Sequence, residues 1–218
     1  MKWKELDFWK SGEWQVCDER LRDLEKDHIA WCPGRRNMFA SMRAVDFDSV
    51  SCVLVGQDPY PNPAFATGIA FSIPSGSAFL PPTLAMIFKE LQNDIHGMTL
   101  NDGDLTSWCK QGVLLWNCIP TCTAWKSKSH NWPEWEELNK EVFQKLSSRD
   151  NLVFAFLGAT AKNYMKYVDD DKSISVWASH PSPRGNMNSQ QPFLGSRIFT
   201  TINMHLEEFG KKPIDWRL

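Results

Sequence analysis

Four short apolar runs, each ending on a polar residue or a glycine, constrain this chain more than any other feature. Cys52-Val53-Leu54-Val55 runs into Gly56-Gln57-Asp58-Pro59-Tyr60, and Gly112-Val113-Leu114-Leu115-Trp116 ends at Asn117. Leu152-Val153-Phe154-Ala155-Phe156-Leu157 ends at Gly158, and Ile174-Ser175-Val176-Trp177-Ala178 ends at Ser179-His180-Pro181. Short, uncharged and mostly branched or aromatic, such runs are strands buried on both faces of a parallel sheet. Helical patterns lie between them, at Trp135, Leu138, Val142 and Leu146 and again over Ala161 to Val168. Strands alternating with helices imply right-handed crossovers and helices on both faces of the sheet. The expected class is therefore α/β: a three-layer αβα sandwich around a central four-stranded, mostly parallel sheet. In that architecture the carboxyl ends of all strands meet at one edge, the crevice side where ligands bind. Asp58, Asn117, Gly158 and His180, far apart in the chain, should share that edge.

The remaining elements are placed by local signals. Residues 3 to 28 alternate charge with large apolar side chains, and two short helices broken at Ser11-Gly12 fit best. Cys32-Pro33-Gly34-Arg35-Arg36 reads as a loop and Met38 to Met42 as a short apolar helix. Gly68 to Ile73 is expected as a short extended piece after the irregular Pro61-Asn62-Pro63. Pro81-Pro82-Thr83 opens a helix whose Leu84, Ile87, Phe88 and Leu91 form one stripe, and a last helix near Phe199 to Phe209 closes at Gly210.

At 218 residues and 42% hydrophobic content the chain suits one domain, residues 1 to 218, with a sizeable core. A net charge of -2 advertises no global affinity for nucleic acid, so a DNA-binding surface has to be a local patch. No run of about 18 apolar residues and no charged-then-apolar leader is present, which predicts no membrane span and an intracellular protein. That means cytoplasm for a bacterial or archaeal source, and nucleus or cytoplasm for a eukaryotic or viral one. The six cysteines form no C-x-x-C pair, so buried free thiols are expected and no metal is called for.

Asp58 is presented where its strand must stop, because Pro59 has no N–H and disfavours a helical Asp58. Val55-Gly56-Gln57-Asp58-Pro59-Tyr60 would also serve as an Asp-Pro turn with a solvated carboxylate. Asn117 carries a donor and an acceptor on one flat group, suited to the edge of a pyrimidine or to an amide. His180 can donate to a developing anion or act as acid or base. G-x-S-x-G, the P-loop and G-x-G-x-x-G are all absent, which removes the usual supports for acyl transfer, phosphate cradling and dinucleotide binding.

Gly56-Gln57-Asp58-Pro59-Tyr60, Gly68-x-Ala70-Phe71-Ser72, Leu114-Leu115-Trp116-Asn117, His180-Pro181-Ser182-Pro183 and Lys212-Pro213-Ile214-Asp215-Trp216 together resemble the family 1 uracil-DNA glycosylases. Weaker similarity at Trp108-x-Lys110-Gln111-Gly112, Ser129-His130 and Gly195-Ser196-Arg197 extends the resemblance over nearly the whole chain. It implies hydrolysis of the N-glycosidic bond of deoxyuridine in single- or double-stranded DNA, by a monomer without metal or cofactor, as a step of base excision repair. Inhibitor or replication proteins are further partners that the resemblance admits. The base would be flipped into the pocket, since its glycosidic bond is out of reach inside a stack. Phe71 would then stack on the uracil, Asn117 pair with its edge, Tyr60 exclude a thymine methyl, and the Gln57 backbone help at O2. Asp58 would stabilise the sugar cation and orient water, while His180 as a neutral donor would stabilise the departing anion. Thr83, His130, Ser182 and Arg184 would contact the DNA, with Lys126 and Lys128 nearby.

Three positions depart from the resemblance. Pro61 stands where the family has His, Ala159 replaces a small hydroxyl residue, and Arg184 takes the place of an apolar Leu that fills the gap left by the flipped base. The segment from Gly185 to Pro192 is also longer than expected. Two alternatives stay open: the same fold acting on another modified pyrimidine, or a DNA-binding accessory role with reduced catalysis.

Overall fold

The structure, a computed structural model, describes every residue of the chain except His96, Thr99, Asn101 and Asn188. Its helices are α1 (Gly12–Lys26), α2 (Ala40–Ala44), α3 (Pro82–Asp94), α4 (Thr106–Cys109), α5 (Glu134–Ser147), α6 (Ala159–Lys162), α7 (Pro183–Met187) and α8 (Ile198–Glu208). Its strands are β1 (Trp31–Cys32), β2 (Cys52–Gly56), β3 (Val113–Asn117), β4 (Cys122–Thr123), β5 (Val153–Leu157) and β6 (Ile174–Ala178).

The four apolar runs form one parallel sheet in the order β3-β2-β5-β6. Side chains alternate across it with period two. Cys52, Leu54, Val113, Leu115, Val153, Ala155 and Leu157 face the layer that contains α3 and α8. Val53, Val55, Leu114, Trp116, Phe154 and Phe156 face the other, which contains α5 and the N-terminal segment. Each face is covered by apolar stripes of the predicted kind: Leu84, Ile87 and Leu91 of α3 on one side, Trp135, Leu138, Val142 and Leu146 of α5 on the other. The sheet is thus the middle layer of a three-layer sandwich. Register carries the strand ends to one edge, with Gly56 beside Asn117 and Leu157 beside Ala178.

Several local expectations are corrected. Gly68 to Ile73 is a series of turns, because Phe71 takes a left-handed backbone (φ 66°) and the Thr67 hydroxyl binds the carbonyls of Ile69 and Ser72. The helix expected over Ala161 to Val168 starts earlier, at Ala159, and stops at Lys162. A 3-10 turn at Met165–Tyr167 follows, which lets Tyr164, Met165 and Tyr167 pack on the α5 layer. Before Gly12 the chain forms only 3-10 turns, at Trp3–Glu5 and Asp7–Lys10, so of the two N-terminal helices α1 alone is an α-helix. The Met38 to Met42 helix is shifted to Ala40–Ala44, since Phe39 sits in the left-handed region at its start. Three elements were not anticipated: the antiparallel pair β1–β4, helix α4, and helix α7 just after the His180 loop. Among the described residues no helix is long and apolar enough to cross a membrane.

Candidate active site

The edge formed by the strand ends opens into a cleft of about 160 Å³ lined by Gln57, Asp58, Pro59, Tyr60, Pro61, Phe71, Thr83, Ser127 and His180. A second hollow, about 360 Å³, shares Gln57 and His180 with it and continues past Lys128, Gly158, Ala159, Thr160, Ser182 and Arg184. Loops that follow three of the four strands, and two further loops, therefore meet at one mouth.

Asp58 is held on both oxygens. Its Oδ1 accepts the Gln57 Nε2 donor at 2.8 Å. Its Oδ2 accepts the Ser127 hydroxyl at 2.6 Å and the Lys128 backbone N–H at 2.7 Å. Three donors suit an ionised carboxylate, which only accepts. Gln57 is anchored in turn, its Oε1 accepting the Thr160 hydroxyl at 3.0 Å. Nothing in the spacing of the chain connects residues 57 and 58 with 127, 128 and 160. The crossovers make that connection.

Phe71 and Asn117 meet at Gly56. A Cβ on Gly56 would stand 2.6 Å from Cζ of Phe71 and 2.9 Å from Oδ1 of Asn117, closer than real Cβ contacts. The glycine is required because the Phe71 ring approaches the β2 backbone too closely there for any side chain. Tyr60 is tied to the same place, its hydroxyl donating to the Phe71 carbonyl at 3.0 Å. Burial pushes the Tyr60 phenol well above its ordinary value, so it remains a neutral donor. Among the described residues, none is hydrogen-bonded to the Asn117 side-chain amide.

His180 follows β6 and packs against Gly158, where a Cβ would come within 3.0 Å of the imidazole Cβ. With φ at 98°, Gly158 supplies both the space and the left-handed turn. Burial lowers the His180 pKa; the nearby Asp58 carboxylate opposes that shift and Lys128 reinforces it. The net direction is down, which favours the neutral ring at pH 7.

The expected DNA contacts divide. Thr83 lines the cleft, while Ser182 and Arg184 line the adjoining hollow, with Arg184 in the short helix α7. Asn188, in the long segment after Gly185, lies outside the described residues. His130 is elsewhere: it is only 3% exposed, its two ring nitrogens pair with the hydroxyls of Thr121 at 2.9 Å and Thr123 at 3.0 Å, and it stacks on Trp132. It lines neither the cleft nor the adjoining hollow. Sequence reasoning missed Ser127 and Thr160, and a lone serine or threonine in a polar loop carries no signal that could have found them. Among the described residues no cluster of His, Cys, Asp or Glu could hold a metal ion.

Comparison with known proteins agrees with this geometry. The family model described as the uracil DNA glycosylase superfamily matches residues 44–207. A uracil-DNA glycosylase of Enterococcus faecalis is 38% identical over 187 residues, covering 85% of this chain and 81% of its own length. One from Campylobacter jejuni is 36% identical over 220 residues, covering 99% of this chain and 93% of its own. Among solved structures, mimivirus uracil-DNA glycosylase superposes with a TM-score of 0.88 at 28% identity, covering 97% of this chain and 85% of that one. A variant of mimivirus UNG in complex with UGI gives a TM-score of 0.90 at 27% identity, covering 100% and 89%. The family match takes in Asp58, Asn117 and His180, the residues that the sheet gathers at one edge, and this chain belongs to the uracil DNA glycosylase superfamily.

Proposed function

We propose that this chain hydrolyses the N-glycosidic bond of deoxyuridine in DNA, releasing uracil and leaving an abasic site. The observation that carries the reading is Asp58, held by three donors in the same cleft as His180. The uracil enters between Phe71, Tyr60 and Asn117 after leaving the base stack. As the bond from C1′ to N1 breaks, its electron pair moves to the base and positive charge grows on the sugar. The Asp58 carboxylate stabilises that charge and orients a water, whose oxygen bonds to C1′ as its proton passes to solvent, while the departing uracil anion takes up a proton from solvent. His180, neutral, donates a hydrogen bond to the anion on the departing base, so the stabilisation is strongest where charge develops. Because its hydroxyl is tethered to the Phe71 carbonyl, the Tyr60 ring is braced against a C5 methyl. The Asn117 amide, to which no described residue is hydrogen-bonded, reads the pyrimidine edge, and cytosine would leave it mismatched. Thr83, Ser182 and Arg184 take the backbone on either side, and His130 acts indirectly by supporting the loop of Ser127 and Lys128.

Excision from oligonucleotides bearing uracil, thymine, cytosine or 5-hydroxymethyluracil tests the reading. Uracil alone should be released, and Asp58→Asn should slow release by roughly a hundredfold or more. Release of a different base with uracil untouched would replace it with the reading of another modified pyrimidine. An accessory role without catalysis is disfavoured by the shared placement of Asp58 and His180.

Arg184 has the position from which a side chain fills the gap left by the flipped base, and its guanidinium plane can stack there. Arg184→Ala should lower activity on duplex more than on single strands, and Arg184→Leu should recover it; identical activity of all three proteins on duplex would remove Arg184 from this role. UGI, which binds a mimivirus UNG variant, should bind here more weakly than to an enzyme with an apolar residue at that point.

A further inference from the structure

Large apolar side chains that remain exposed are few among the described residues, and half of them flank the cleft. Phe79 (61% exposed) and Leu80 precede Thr83, Trp125 (71%) precedes Ser127, and Met187 (79%) follows Arg184. Thr83, Ser127 and Arg184 thus each have a large exposed apolar side chain a few residues away in the chain.

Two of these are built rather than incidental. Phe79 continues a chain of rings that begins at the pocket wall: Tyr60 packs edge-on against Phe65 at 6.3 Å, and Phe65 stacks on Phe79 at 6.1 Å with 24° between planes. Trp125 takes a left-handed backbone conformation (φ 67°) that is uncommon for a bulky residue, and its N–H donates to the carbonyl of the pocket residue Pro61 at 2.7 Å. The side chain is thereby turned out to solvent on a backbone pinned to the cleft. Large apolar side chains gathered beside a cleft, unlike ones scattered singly, mark an interaction surface.

We infer that Trp125 and Phe79 are stacking platforms for the unpaired bases that flank the flipped uridine in a single strand. This rests on the proposed glycosylase reading. Every base has a π-face, so aromatic platforms beside a backbone-tracking groove bind single strands with little sequence preference. In a duplex those faces are already stacked on neighbouring pairs. The cations Lys126 and Lys128, on the Trp125 loop and both exposed, supply the accompanying phosphate attraction.

The test compares Trp125→Ala, Phe79→Ala and Trp125→Phe with wild type on three substrates: a single-stranded 15-mer with one central uracil, the same strand in duplex, and deoxyuridine 3′,5′-bisphosphate. A 15-mer lacking uracil, followed by fluorescence anisotropy, reads binding without chemistry. Each alanine variant should weaken anisotropy binding and raise KM on the single strand by about fivefold or more. That loss should exceed the loss on the bisphosphate by a similar factor, and Trp125→Phe should restore most of it. Unchanged KM and anisotropy on the single strand would overturn the inference, and so would equal loss on strand and bisphosphate, which would mean a damaged pocket. Absence of uracil release from any substrate by wild type would instead overturn the glycosylase reading, with the anisotropy result still standing on its own.

Discussion

At the scale of the residue, the site is an exercise in restraint of a carboxylate. Asp58 could rotate about its side-chain bonds, and a cleft that depends on its position gains from donors on both oxygens. Ser127 is the least expected of these, contributed from a loop nearly seventy positions away. It acts through Asp58, as a positioning residue. Ser127→Ala removes one charge-assisted hydrogen bond and leaves the Gln57 and Lys128 donors, so kcat should fall by about tenfold with KM little changed. Ser127→Thr, retaining the hydroxyl, should recover much of the rate. A rise in KM with kcat intact would show instead that Ser127 contacts substrate alone.

Elements matter here for the precision with which they end. β3 must deliver Asn117 beside Gly56, and the helix packed behind it secures that end. Asn139 of α5 is fully buried; it accepts from the Trp116 indole at 2.7 Å and donates at 2.7 Å to the carbonyls of Cys118 and Trp135. One side chain thereby joins α5 to the residues on either side of Asn117. Asn139→Ala would strand a buried indole N–H and carbonyl oxygens, which should cost about 2–4 kcal/mol in urea unfolding. A cost below about 1 kcal/mol would mean that the sheet edge does not depend on this tie.

The whole molecule responds to pH through groups it has withdrawn from water. His130 is the clearest, with burial pushing its pKa down to about 4 from 6.5. A depressed folded-state value means that the unfolded chain takes up the proton first as pH falls. Stability is therefore complete above about pH 6.5 and is lost as pH falls toward 4, by an amount on the order of 2–3 kcal/mol from this residue. Wild type should show that decline in chemical unfolding, and His130→Gln should flatten it even though the substitution lowers stability at neutral pH. An unchanged slope in His130→Gln would assign the acid sensitivity to other groups.

Much of this protein was legible before any coordinates. Uncharged runs of four to six residues have few ways to be buried, and their alternation with helical stripes admits essentially one layered arrangement. From that arrangement alone Asp58, Asn117 and His180 fall on one edge, and their chemistry suggests a base edge and a leaving anion. Period-two and helical-period patterns are local and repeat, which is why they survive in sequence. Other features were settled only by packing. Phe71 needs a left-handed backbone to lay its ring on Gly56, so an apparent strand became turns. His130 looked like a surface contact until Thr121, Thr123 and Trp132 enclosed it. The hydroxyls of Ser127 and Thr160, and the outward turn of Trp125, depend on loops brought together by crossovers. A loop residue has no period to betray its partner, because its contacts are with atoms that are near in space and distant in the chain.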